Sequence, residues 1–428
     1  MKKILNSIPI KGEFAKNAFT LTIGTSIAQA FPMLFYPILG RIFTPAEFGL
    51  LATITSITSI LTVLATGKYE NSILITDSKQ DAADIMVLVL LLSFFFLLIS
   101  LIIFQVFSIQ FDLWFNVPGL KKWLFVCPIS AYAIIIFNCY NEWCVRNKYF
   151  VRLSWNKIIN SAAITLSKLF FGFVKISNSG LVIGDLIGRI ISAGGCVIRV
   201  LTKEKNVFFQ VSFKRMRVLA KQYLEFPKFF LPGQLIDTFS SQLPTLMIAS
   251  FFLSSEVGFF AMAGNLLSLP ASVISEAVMN VFRQRANEEW VRTGNCKSIY
   301  NKTVRLMFII MIPISVVLMI ILPDLFSLLL GRNWRIAGVY ARILMPNVAI
   351  LFMFQVVAVV FIIANKMKAS FIWQIFSITL TIASLCIGCF LFKDIKITLI
   401  CYVIARCIAN AIRFYLTFKY SKGIQDNR

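Results

Sequence analysis

Residues 17–75 read NAFTLTIGTSIAQAFPMLFYPILGRIFTPAEFGLLATITSITSILTVLATGKYENSILI, and their reading decides the fold. Two apolar runs flank Thr44-Pro45-Ala46-Glu47-Phe48-Gly49. There a Thr can cap a helix, a Pro suits the first helical position, and a Glu three residues after the Thr can reach back to close a capping box. The stretch is therefore an antiparallel helix pair. Each run exceeds the roughly 20 apolar residues that cross a bilayer. Yet Thr20, Thr22, Thr25, Ser26 and Gln29 in the first, and Lys68 and Glu70 near the end of the second, lie where hydrocarbon penalises them. Such a pair suits a gate beside something polar.

A second joint, Leu253-Ser254-Ser255-Glu256-Val257-Gly258, follows 209 positions later and again opens an apolar helix. At this offset Gln29 falls on Thr238, and Glu276 comes close in depth to Lys68 and Glu70. An offset of half the chain, with room for six spans in each half, is the signature of a transporter built from parallel repeats.

Composition agrees. The 428 residues are 58% hydrophobic and 14% charged, with mean hydropathy +0.80 and 42 Phe, far from the composition of a soluble domain. Twelve spans are expected, near 14–40, 47–75, 82–108, 120–143, 152–174, 178–200, 224–252, 256–282, 303–330, 336–363, 368–391 and 397–420. They predict an all-α integral membrane fold of two six-helix lobes, residues 1–201 and 224–428, joined by a basic cytoplasmic linker at 202–223. A net charge of +23 would suggest nucleic acid in a soluble protein. Here most Lys and Arg fall on the side that also carries Met1, so the charge orients the chain with both termini cytoplasmic. Lys2, Lys3, Lys11 and Lys16 ahead of Ala28-Gln29-Ala30 have the outline of a signal peptide. The apolar run continues to Leu39, however, and is read as a retained span.

The residues that could carry function are intramembrane charges. Lys68 and Glu70 either snorkel to headgroups or line an aqueous cavity. In the sixth span, Gly180, Gly184 and Gly188 form a small-residue face for close helix packing. Asp185 and Arg189, four apart on an adjoining face, either satisfy each other or line the cavity, and Lys168 snorkels near the outer side. Asp237 falls near mid-membrane in a span broken by Pro227, Pro232 and Pro244. Glu276 follows in the eighth span, and Arg406 is the clearest buried cation of the twelfth. Gln29 and the neighbouring hydroxyls offer hydrogen bonds to a sugar.

Soluble enzyme folds are set aside because apolar runs recur along nearly the whole length, nucleic-acid binding because the basic residues are distributed by membrane side, and a chain-borne ATPase because the chain has no His and no phosphate-cradling Gly-rich motif. The nine Cys, mostly within spans, are read as small apolar packing residues. A glycan polymerase would need catalytic groups on sizeable loops, and nearly every loop is short. An exporter of small cations would need a vestibule dominated by carboxylates. The set Lys68, Glu70, Asp185, Arg189, Asp237, Glu276 and Arg406 better suits a polar anionic headgroup.

PILGRIFTPAEFGLLA at 37–52, ATGKYENSILI at 65–75, GLVIGDLIGRIISA at 180–193 and TLMIASFFLSSEVGFFAMA at 245–263 resemble bacterial polysaccharide flippases of the Wzx, O-antigen type. Those belong to the MOP superfamily, which includes MATE multidrug exporters and the lipid II flippase. The resemblance implies a MATE-like fold of twelve helices in two lobes around a hydrophilic vestibule, in the bacterial inner membrane. It implies a non-enzymatic flippase that moves an undecaprenyl-pyrophosphate-linked oligosaccharide between leaflets by alternating access, without a cofactor and with room for proton or sodium coupling. Partners implied are membrane lipids and other polysaccharide-assembly proteins of the membrane. The twelve spans read here are two fewer than in lipid II flippases.

Overall fold

The computed structural model describes residues 13–174 and 179–423, with the backbone alone at 13–19 and at part of 269–280. Twelve helices of 20 residues or more occur among the described residues. They are α1 Glu13–Ile42, α2 Pro45–Thr66, α3 Lys79–Val106, α4 Val126–Arg146, α5 Phe150–Phe173, α6 Gly180–Lys203, α7 Leu231–Phe251, α8 Ser254–Thr293, α9 Lys297–Leu330, α10 Arg335–Val357, α11 Met367–Cys386 and α12 Ile395–Ser421. All but α5, α7 and α8 lie in segments long and apolar enough to cross a membrane. α5 and α7 are diluted by their polar residues, among them Lys157, Lys168, Asp237 and Gln242, and part of α8 lies outside the described side chains. The chain divides within α7 into two compact units, Met1–Gln242 and Leu243–Arg428.

In the first unit the 44–49 joint forms as its sequence dictates. Thr44 Oγ1 accepts from Glu47 N at 3.4 Å, and Glu47 Oε2 accepts from Thr44 N at 2.8 Å. The hydroxyl ladder of α2 turns inward on its own helix, with Thr53, Thr58 and Thr62 donating to the carbonyls of Gly49, Ile54 and Thr58. This pattern lets polar side chains sit in an apolar layer without stranded donors. α3 buries Ala82, Met86, Val89, Ser93, Leu97, Ser100 and Phe104, three or four apart. Its other face exposes Phe94, Phe95, Ile99 and Ile102, the surface that lipid covers.

The expected second span ran unbroken to Ile75, but α2 stops at Thr66. Gly67 (φ 55°) and Lys68 (φ 62°) both turn left-handed, and a 3-10 turn follows over Tyr69–Leu74. A helix ends where glycine accepts the left-handed conformation at little cost. Here the next residue, a lysine, is held there too, against an unfavourable contact of its Cβ.

The small-residue face of α6 does what its spacing implies. Gly180, Gly184 and Gly188 are buried against α5, and a Cβ on Gly184 would lie 2.5 Å from the Lys168 Cα. α1 closes on α5 in the same way, with Gly24 against Ser154. The basic connection is not free of the first unit. Its helix Phe213–Gln222 buries Met216 and Leu219, Tyr69 donates to the Ala220 carbonyl at 3.0 Å, and Arg215 lies 2.5 Å from Asp81.

The second unit is organised around an aromatic core that includes Phe282, Tyr300, Phe352 and Phe354. Phe354 stacks on Phe414 with centroids 4.7 Å apart, and Tyr300 shares a 3.0 Å hydrogen bond with Thr417. α8, at 40 residues, is about 60 Å long at 1.5 Å per residue and so overshoots a hydrocarbon core about 30 Å thick. Arg342 of α10 completes the hydrogen bonding of α9. Pro323 has no N–H, so the Met319 carbonyl one turn earlier in α9 loses its helical donor. Arg342 Nε donates to that carbonyl at 2.7 Å, and Nη2 to the Ile320 carbonyl at 3.2 Å.

Candidate functional site

In the first unit the break after Thr66 builds a charged cluster. The left-handed backbone at Lys68 brings its ammonium to 3.2 Å from Glu70 Oε1. Glu70 is buried, and its Oε2 has no hydrogen-bond partner among the described residues. Glu142 of α4 lies within electrostatic reach of Lys68, Glu70 and Lys157. Lys157 in turn donates to Thr25 of α1 at 3.0 Å. Two lysines and two carboxylates thus meet at the end of α2 and on α4 and α5, bordered by the hydroxyl-rich face of α1 that also carries the half-buried Gln29.

Asp185 is drawn into a different arrangement. It is buried, with Arg189 Nε at 2.5 Å and Lys168 Nζ at 2.8 Å. Lys168, expected to snorkel, instead bridges α5 to α6. Two cations on one buried carboxylate make a triad of net charge +1, with Lys168 on Oδ1 and Arg189 on Oδ2 and, through Nη2 at 3.5 Å, on Oδ1 as well. Asp185 and Arg189 are therefore satisfied where they stand. Asp237 is exposed partway along α7. Glu276 lies on α8, with its side chain outside the described residues.

In the second unit Arg406 is half-buried rather than enclosed, and its Nη1 donates to Ser377 of α11 at 3.0 Å. It belongs to a stripe. Asn410 and Arg413 follow at four and seven residues, on the same face of α12. Asn410 is fully buried, with neither amide atom hydrogen-bonded among the described residues. Arg413 lies over the Trp373 ring at 4.5 Å, and Trp373 donates to the Ala409 carbonyl at 2.6 Å. A guanidinium, an amide and a second guanidinium in line, braced by one tryptophan, can recognise a phosphate-bearing group by charge and by forked hydrogen bonds.

Lys157, Glu142 and the Asn410–Arg413 pair were not singled out from the sequence. Their signal was spacing: Lys157 and Ser161, like Arg406, Asn410 and Arg413, recur at helical intervals and so share a face.

Three solved structures share this helical arrangement. "Lipid II flippase MurJ, inward closed conformation" matches with TM-score 0.73 at 13% identity, over 93% of this chain and 90% of that one. The Vibrio cholerae MATE transporter VcmN, in a mutant form, matches with TM-score 0.60 at 12% identity, over 94% and 95%. A MOP superfamily transporter from Pyrococcus furiosus matches with TM-score 0.55 at 15% identity, over 95% and 96%. No curated protein sequence matches the chain significantly. At such identities the likeness defines the class, a multi-pass membrane protein with the two-lobed helical fold of MATE and MurJ transporters. A family profile described as "Polysaccharide biosynthesis protein" matches residues 38–338. The chain belongs to that family.

Proposed function

We propose that the protein is a flippase that carries an undecaprenyl-diphosphate-linked oligosaccharide from the cytoplasmic to the outer leaflet of the bacterial inner membrane by alternating access. The observation that carries the proposal is the stripe Arg406–Asn410–Arg413, two intramembrane guanidiniums flanking a buried amide, in a member of a polysaccharide biosynthesis family. Charge inside a bilayer is expensive and is retained where it meets a counter-charge. A diphosphate supplies one. The first unit carries its own cationic cluster, Lys68 and Lys157, and Glu70 and Glu142 beside it are the candidates for proton or sodium coupling. Gln29 and the α1 hydroxyls accept and donate to sugar. Asp237 on α7 is a further candidate for contact with the head, Glu276 is kept as a candidate from its sequence position, and Arg189 and Asp185 have a supporting role through Lys168.

Orientation follows from charge. Lys79, Arg146, Lys148, Lys203, Lys205 and Lys214 gather at one end of the first unit, and Lys297, Lys302, Lys419 and Lys422 at one end of the second. The positive-inside rule puts those ends in the cytoplasm.

The test is reconstitution of the purified chain in vesicles with a fluorescent diphosphate-linked oligosaccharide. The proposal predicts movement between leaflets with glycan length unchanged. Glycan lengthening would indicate a polymerase, and drug efflux without lipid movement a MATE-like exporter.

A further inference from the structure

At the basic end of the first unit, where α4 turns into α5, lies a cleft of about 510 Å³ lined by Lys148, Tyr149, Phe150, Val151, Arg152, Trp155 and Arg199. Three of its walls are cationic and none is a carboxylate. The nearby Glu204 is buried and engaged by Lys79 at 2.8 Å, with Arg152 farther off at 3.9 Å. Arg199 is held through its Nη1 by the neutral side chain of Asn156, with no carboxylate paired to it among the described residues. The Arg152 guanidinium lies 4.6 Å from the Tyr149 ring, and its Nη1 is 3.9 Å from the Glu204 carboxylate. Stacking on the ring fixes the guanidinium at the wall of the cleft.

Lys148 adds backbone evidence. The turn ending α4 is closed by Tyr149 N on the Cys144 carbonyl at 2.8 Å and Lys148 N on the Val145 carbonyl at 3.0 Å. That pair of bonds places Lys148 at the position glycine normally fills, with φ 57°. A lysine there costs stability that a glycine would not, and the ammonium it presents to the cleft is a reason to keep it. Trp155 and Val151, each 47% exposed, set apolar and amphipathic surface beside the cations, as at a headgroup level rather than in bulk water.

We propose that this cleft binds the phosphate of a lipid headgroup in the cytoplasmic leaflet, at a site separate from the intramembrane cations of the transport path. An anionic phospholipid and a diphosphate-linked isoprenoid share that chemistry. The site holds whether or not the chain is a flippase.

The test uses the full chain in nanodiscs of equal parts phosphatidylcholine and phosphatidylglycerol, with a spin-labelled lipid of each kind reporting selectivity. Wild type should prefer phosphatidylglycerol. Lys148→Gly and Arg199→Gln should each lower that preference about fivefold, while Lys214→Gln, which removes an exposed charge from the same end, should leave it intact. Lys148→Gly should also melt no lower than wild type, which separates lost binding from lost fold. Displacement of the label by undecaprenyl diphosphate would assign the site to the isoprenoid carrier, and its failure to displace would assign it to phospholipid; both support a phosphate-headgroup site. Equal selectivity in wild type, Lys148→Gly and Arg199→Gln would overturn it, and so would displacement by inorganic phosphate at matched ionic strength.

Discussion

Lys68 shows how one residue's backbone sets its chemistry. Because it follows Gly67 in the left-handed region, its side chain meets Glu70 two residues on instead of running down a helix face. Glycine fits that conformation better than lysine by about 1 kcal/mol. The double variant Lys68→Gly/Glu70→Gln removes both charges without leaving a buried carboxylate alone. It should reach wild-type abundance and lose at least about tenfold in glycolipid transfer, the scale of one lost charged contact. Wild-type transfer by this variant would make the pair structural. Arg342 yields a second prediction. Arg342→Met strands the Met319 carbonyl and should destabilise the protein by about 1 kcal/mol in denaturant titration. Adding Pro323→Ala restores the helical N–H, so the two changes should be less than additive. Strict additivity would show that the arginine does not compensate the proline. Neither role was visible in the sequence. The partner of Arg342 is a carbonyl on another helix.

At the scale of elements, local chemistry was the part most readily read. The 44–49 joint needed only a Thr, a Pro and a Glu at fixed spacing, and the glycine face of α6 only a four-residue repeat. The end of α2 at Thr66 was missed because the hydrophobic pattern resumes at Ile73 and hides a turn made by two left-handed residues. The Lys168–Asp185 pair was missed for a different reason. It joins two helices, and periodicity within one helix says nothing of its neighbour. These contacts make sharp predictions. Gly188→Leu drives a side chain into the Ile164 backbone and should abolish folded protein. Gly194→Leu, on the same helix with open space around it, should leave the melting temperature unchanged or raised, since leucine is the better helix former. Equal tolerance would mean that α5 and α6 do not pack as described. In the triad, Asp185→Asn leaves Lys168 and Arg189 facing each other without a counter-charge, and should cost about 3 kcal/mol. The triple change Lys168→Met/Asp185→Leu/Arg189→Met should recover most of that stability. Loss of transfer with stability recovered would place the triad on the transport path instead of in its support.

For the whole molecule, composition and the repeated joint were enough to read a two-lobed helical membrane fold, because length, hydropathy and charge asymmetry act on the entire chain. The site was only half legible. Lys68, Glu70 and Arg406 stood out as charges in apolar surroundings, whereas Glu142 and Lys157 gain meaning from neighbours on other helices and Asn410 from its burial. The central claim is that intramembrane guanidiniums select the diphosphate of a lipid-linked sugar. The most direct test is the ratio of transfer rates, in vesicles, for a diphosphate-linked oligosaccharide and the same oligosaccharide on an uncharged lipid, compared between wild type and Arg406→Gln at equal protein density. The account predicts a strong preference for the diphosphate in wild type that falls at least about tenfold in the variant. An unchanged ratio would contradict it.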